Sequence, residues 1–234
     1  MNKKSLLIIL LLVLVIILVF IFGNNNSTSD SIKFKKEYES LNGKVNDNGK
    51  EYRSISISKS NPIKYATAED IVKMIDNKET FAVYFGFSKC PWCRSVLPTM
   101  FEVASDLDID TIYYVDVLDI RNTLEVKDGE VVETKKGTDG YYKLLEYLDS
   151  VLDEYSLTDS DGNKVDANQK RIYAPNIAVI LSGRAEDLTT GISDKQDDAY
   201  MKLTDSMKKE MYKKIKCTLE CLDKENTICE KKSC

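Results

Sequence analysis

The chain has 234 residues, 43% of them hydrophobic and 30% charged, enough to enclose one full core and a small appendage. Its formal charge is -5, and the part beyond Lys3 and Lys4 is more acidic still, which argues against nucleic acid as a partner. Histidine is absent, and the first of the six cysteines is Cys90.

Leu6 to Phe22 is a run of 17 apolar residues that, with Ser5 and Gly23, just reaches the length needed to span a bilayer. It is longer than the apolar stretch of a removed signal and is followed by "GNNNS" rather than Ala-x-Ala, so an uncleaved anchor is favoured over a cleaved leader. A lipid-attached cysteine is excluded there, because none precedes Cys90. Lys3 and Lys4 bias the short end to the cytoplasm and place the rest outside. Residues 1–23 are thus expected to be a cytoplasmic tip and signal-anchor, and 24–50 a tether and lead-in. The main domain should cover 51–222, with a cysteine-containing tail at 223–234. Only "YRSISIS", Tyr52 to Ser58, alternates like a strand within the charged lead-in.

Thr67-Ala-Glu-Asp70 has the pattern of a helix start, with Ala68, Ile71, Val72 and Ile75 on one face. Phe81 to Phe85 reads as a strand, Val96, Leu97, Met100, Phe101, Ala104 and Leu107 as the face of a helix, and Thr111 to Val115 as another strand. This is a β-α-β unit, with parallel strands and a right-handed crossover. Farther on, "LEVKDGEVVET" around Asp128-Gly129 reads as a hairpin. Tyr141, Leu144, Leu145, Leu148, Val151, Leu152 and Tyr155 outline an amphipathic helix. "SDGNKVDANQK" reads as loop, and "RIYAPNIAVILSGRAEDLTTG" as two strands joined at Ser182-Gly183. Tyr200, Leu203, Met207, Met211, Ile215 and Leu219 predict a last helix within Asp198 to Leu222. Most of the 13 tyrosines are expected to serve packing.

Chemistry concentrates at Cys90-Pro91-Trp92-Cys93, between a strand and a helix. A thiol there faces unpaired backbone N–H groups and the positive end of the helix dipole, which favour thiolate. Cys93, one turn inside, can attack a mixed disulfide made by Cys90. Pro91 suits the first helical turn, Lys89 and Arg94 add positive charge on either side, and Trp92 offers an apolar surface. Two other readings exist. A zinc site would have to recruit two of Cys217, Cys221, Cys229 and Cys234, since no histidine is available. A structural disulfide across one helical turn would close too short a loop to contribute much. No metal is expected. Cys217 and Cys221, at i and i+4, are expected to pair in an exported chain, and four cysteines allow three pairings.

These residues, with the later "YAPNIAVI", resemble the thioredoxin superfamily over about residues 63 to 222. Pro98 matches the proline that bends the family's active-site helix, Pro175 its cis-proline, and Gly183 and Gly191 the glycines that follow. The resemblance implies a thioredoxin-like α/β fold, a central mixed sheet flanked by helices. It also implies thiol:disulfide exchange on protein or peptide substrates, with Cys90 as nucleophile, Cys93 as resolving thiol, and the backbone at Ala174 and Pro175 as substrate dock. No cofactor beyond the redox-active Cys90–Cys93 disulfide is implied. Partners would be substrate thiols or disulfides and a membrane or extracytoplasmic redox partner.

Two departures matter. Tyr84 stands where the family has a buried aspartate, leaving Asp116 or water to take the proton of Cys93, and the stretch of about 117–170 is an insertion. With its tether, the chain is also similar to thioredoxin-like accessory proteins found with bacteriocin export systems. That leaves a second expectation open, a binding subunit of a peptide exporter with little redox turnover.

Overall fold

A computed structural model describes residues 30–223 as a mixed α/β protein built on one five-stranded sheet. The expected anchor and tether up to residue 29, and Cys229 and Cys234 of the tail, lie outside the described residues. Among the described residues no helix is long and apolar enough to cross a membrane.

The sheet runs in the order β1 (Ile63–Tyr65), β3 (Ile112–Asp116), β2 (Phe81–Gly86), β8 (Asn176–Leu181), β9 (Arg184–Thr189). The first three strands are parallel, β8 runs antiparallel to β2, and β9 runs antiparallel to β8. β2 and β8 are buried at every position, as the middle of a sheet covered on both faces must be. The β-α-β unit is present as read, with α3 (Pro91–Asp106) crossing from β2 to β3.

One face of the sheet is covered by α3, α5 (Asp205–Leu219) and an N-terminal helix α1 of residues 30–39, around Phe34, Tyr38, Tyr84, Met100, Tyr114 and Ile215. The other is covered by α2 (Ala68–Asp76) and α4 (Asp139–Tyr147), around Ile71, Phe81, Phe85, Tyr141, Leu144 and Ile180. α2 begins where Thr67 and Asp70 cap each other's backbone, and it buries all four residues read from the sequence.

α1 is absent from the sequence reading, which took the lead-in as lying outside the fold. Phe34 and Tyr38 are completely buried in the main core. Their i, i+4 spacing, continued by Leu41, carried the signal, but the surrounding lysines and glutamates masked it. The alternation of Tyr52 to Ser58 does bury Ile55 and Ile57, yet the segment pairs with no strand. At Ile55 and Ile57 its backbone is satisfied by side chains instead. Asn42 takes the Ile55 N–H at 3.1 Å and donates to Ile55 O at 2.8 Å. Glu39 takes the Ile57 N–H at 2.7 Å, and Lys35 donates to Ile57 O at 2.8 Å. α1 and the turn after it thus stand in for a neighbouring strand.

The segment of about 117–170 contains more structure than was read. The Asp128-Gly129 hairpin is present as β4 (Thr123–Lys127) and β5 (Glu130–Lys135), both turn residues having positive φ. α4 ends at Tyr147, a short 3-10 turn follows, and Tyr155 lies on a strand rather than on the helix. The stretch read as loop contains β7 (Lys164–Lys170), which forms a second hairpin with β6 (Glu154–Thr158) before it. Both hairpins are polar on alternate positions and form separate two-stranded sheets. α5 starts at Asp205, not Asp198, because Thr204 caps it.

Candidate active site

Cys90 is the N-cap of α3: its backbone is extended, Pro91 follows at the first helical position, and its Sγ accepts from Cys93 N at 3.2 Å. Both cysteines are free thiols. The Ala174–Pro175 peptide is cis, and Ala174 O lies 3.0 Å from the Cys90 sulfur, within reach of its S–H. β2 pairs antiparallel with β8, which Pro175 precedes, so the turn before one strand faces the turn after the other. The sheet therefore brings together residues 84 positions apart in the chain.

The two sulfurs are pushed in opposite directions. The Cys93 thiol donates to Cys90, and with the N–H groups of Cys93 and Trp92 it holds the Cys90 pKa below the ordinary thiol value despite burial. Cys93 is pushed well above that value, first by burial and then by the hydrogen bond and charge of Cys90. Access is narrower than a helix end suggests: Cys90 is 3% exposed and Cys93 not at all. Trp92 and Ala174 are partly buried against the core beside them.

Arg94 does not face the cysteines. It is fully buried, and its guanidinium donates to the carbonyls of Arg53 at 2.7 Å, Tyr38 at 2.8 Å and Ser88 at 3.3 Å, and to Asn42 Oδ1 at 2.7 Å. It fastens the N-terminal segment to α3. Lys89 is exposed. The cation that acts on the Cys90 sulfur is Arg121, which follows β3, lies 5.3 Å over the Phe87 ring, and lowers the thiol pKa. The sequence offered no sign of it, since nothing local connects Arg121 to Cys90.

Tyr84 is completely buried and stacks on Tyr114 with ring centres 5.6 Å apart, and its hydroxyl acts on Cys93 to lower a thiol pKa that burial raises. Asp116 is not brought to Cys93. Its carboxylate accepts from Leu118 N at 2.8 Å, and it is turned toward Glu37, Asp119 and Tyr114. Among the described residues no group of three or more His, Cys, Asp or Glu side chains comes together as a metal site. Cys217 and Cys221 are both disulfide-bonded. No protein-family model matches the chain, and no curated protein matches it.

Proposed function

We propose that the chain is a thiol:disulfide oxidoreductase of the thioredoxin superfamily, anchored in the membrane with its domain on the extracytoplasmic side. The observation that carries this reading is the asymmetry of the cysteine pair. One sulfur, at a helix N-terminus, is stabilised as thiolate by three donors and a cation, and its partner is held protonated one turn deeper. Such a pair can attack a disulfide with the first sulfur and resolve the mixed disulfide with the second. The strand order, with β2 between β3 and β8, and the placement of Ala174 O 3.0 Å from the Cys90 sulfur support the thioredoxin-like assignment. An extended substrate would dock against Ala174, next to Trp92.

The test is substrate trapping. Cys93→Ser accumulates mixed disulfides between Cys90 and a disulfide-containing peptide, whereas Cys90→Ser accumulates almost none and has no turnover. Equal trapping by the two variants, or full turnover with Cys90→Ser, refutes the roles and favours a binding subunit.

A further inference from the structure

Once Cys90 is tied into a mixed disulfide, it no longer offers a thiolate to the Cys93 thiol, and Cys93 must develop negative charge in a place that solvent does not reach. Within the described residues, no carboxylate or lysine is brought to it. The groups that pull its pKa back down are the hydroxyl of Tyr84 and, after it, the Phe87 N–H. Phenylalanine would fill the same space as Tyr84 without burying a hydroxyl.

The ring has a prepared place. Tyr84 leans along its own strand over Gly86, so closely that a Cβ at 86 would lie 2.4 Å from the Tyr84 hydroxyl oxygen. The missing side chain lets the hydroxyl reach the end of β2 from which the cysteine turn departs. Tyr114, the register partner of Tyr84 on β3, stacks on one face of the ring. The Tyr38 hydroxyl, from α1, lies 3.3 Å from that of Tyr84. The outer end of the cluster is Glu37, which accepts from Tyr114 at 3.3 Å and from Tyr65.

Resting on the oxidoreductase reading above, we infer that Tyr84 is a catalytic residue of the resolving step. Its hydroxyl donates to the Cys93 sulfur as charge gathers there, and Tyr38, Tyr114 and Gly86 are positioning residues. In that step the Cys93 sulfur bonds to the Cys90 sulfur, and the bond from Cys90 to the substrate sulfur breaks, its electron pair going to the substrate. The proton lost by Cys93 ends on that departing sulfur. The cysteine pair is oxidised by two electrons and the substrate disulfide reduced, with no other reagent. Burial raises the Tyr84 pKa well above its ordinary value, so the hydroxyl keeps its proton and remains a donor around neutral pH. The groups facing this pair are Tyr38 and Glu37 from α1, Tyr65 from β1, and Tyr114 and Asp116 from β3. Arg121 acts on Cys90. The two carboxylates act on Tyr114 rather than on Cys93.

The full chain, reduced at Cys90 and Cys93, is mixed with a chromogenic aryl disulfide and its two releases of aryl thiolate are timed. The first reports attack by Cys90, the second resolution by Cys93. Tyr84→Phe leaves the first phase unchanged, slows the second roughly 10- to 100-fold, the effect of losing one hydrogen bond to a charged acceptor, and moves its pH midpoint upward. An unchanged second phase, in both rate and midpoint, overturns the inference. If Tyr84→Phe disturbs the first phase, Tyr38→Phe decides: a second phase slowed by less supports the role, and an unchanged one refutes it. A wild-type chain that releases only one equivalent sinks the oxidoreductase reading itself, and the step with it.

Discussion

Replacing Arg94 by Met separates two roles that the sequence could not. The methionine fills much of the same buried space but supplies no donors. Arg53 O loses its guanidinium donor, and leaving one buried acceptor unpaired costs about 1–3 kcal/mol. Tyr38 O keeps Leu41 N, and Asn42 Oδ1 keeps Ile55 N, so each of those losses is that of one ordinary hydrogen bond, about 0.5–1.5 kcal/mol. Leaving aside the longer bond to Ser88 O, the sum is about 2–6 kcal/mol, and at its centre, for a chain of this size, it lowers Tm by roughly 8–16 °C. The loss should be local first, because three of the four acceptors, on Tyr38, Asn42 and Arg53, hold the N-terminal segment to α3. Urea unfolding followed by the fluorescence of Trp92, the only tryptophan, reads the total, and amide exchange over residues 38–57 reads the place. Arg94→Lys recovers less than half, since an ammonium cannot span four acceptors. The pH dependence of Cys90 alkylation should stay where it is. A loss under about 1 kcal/mol, on the scale of a surface substitution, or a clear shift of the Cys90 midpoint would refute the clamp and restore Arg94 as a tuning charge.

Arg121→Ala removes the cation beside Cys90, so the thiol pKa rises and alkylation at neutral pH slows, with Tm little changed; iodoacetamide kinetics against pH check this, and an unmoved midpoint would remove Arg121 from the site. Glu210 accepts from Asp194 N and Ser193 Oγ, each at 2.7 Å, and from Lys214 at 3.3 Å, and its pKa is lowered to about 2. A carboxyl depressed in the folded state stabilises above its unfolded value, about 4.3, and that contribution is lost as pH falls toward 2. Glu210→Gln should therefore flatten the fall of Tm over that window, and parallel curves for the two proteins would contradict it.

Features written in short stretches of sequence were legible: α2 from Thr67, Asp70 and four spaced apolar residues, the turn at Asp128-Gly129, and the strand, cysteine pair and helix in succession. Each depends on interactions within a few residues, where side-chain period and capping chemistry act directly. The lowered pKa of Cys90 followed from the same local logic, because the helix N-terminus that favours its thiolate is made by the residues next to it. What the fold alone decided are the pairings across the chain. The alternation in Tyr52 to Ser58 determined that Ile55 and Ile57 would be buried, but not that Asn42, Glu39 and Lys35 would take the place of a partner strand. Arg94 follows Cys93 and reads as a charge beside it. A helix turns 100° per residue, so it points away, into carbonyls brought from residues 38 and 53. Arg121 acts on Cys90, and Tyr38 meets Tyr84, only because β3 lies beside β2 and α1 lies over both, and contacts between distant segments leave no period in the sequence to be read.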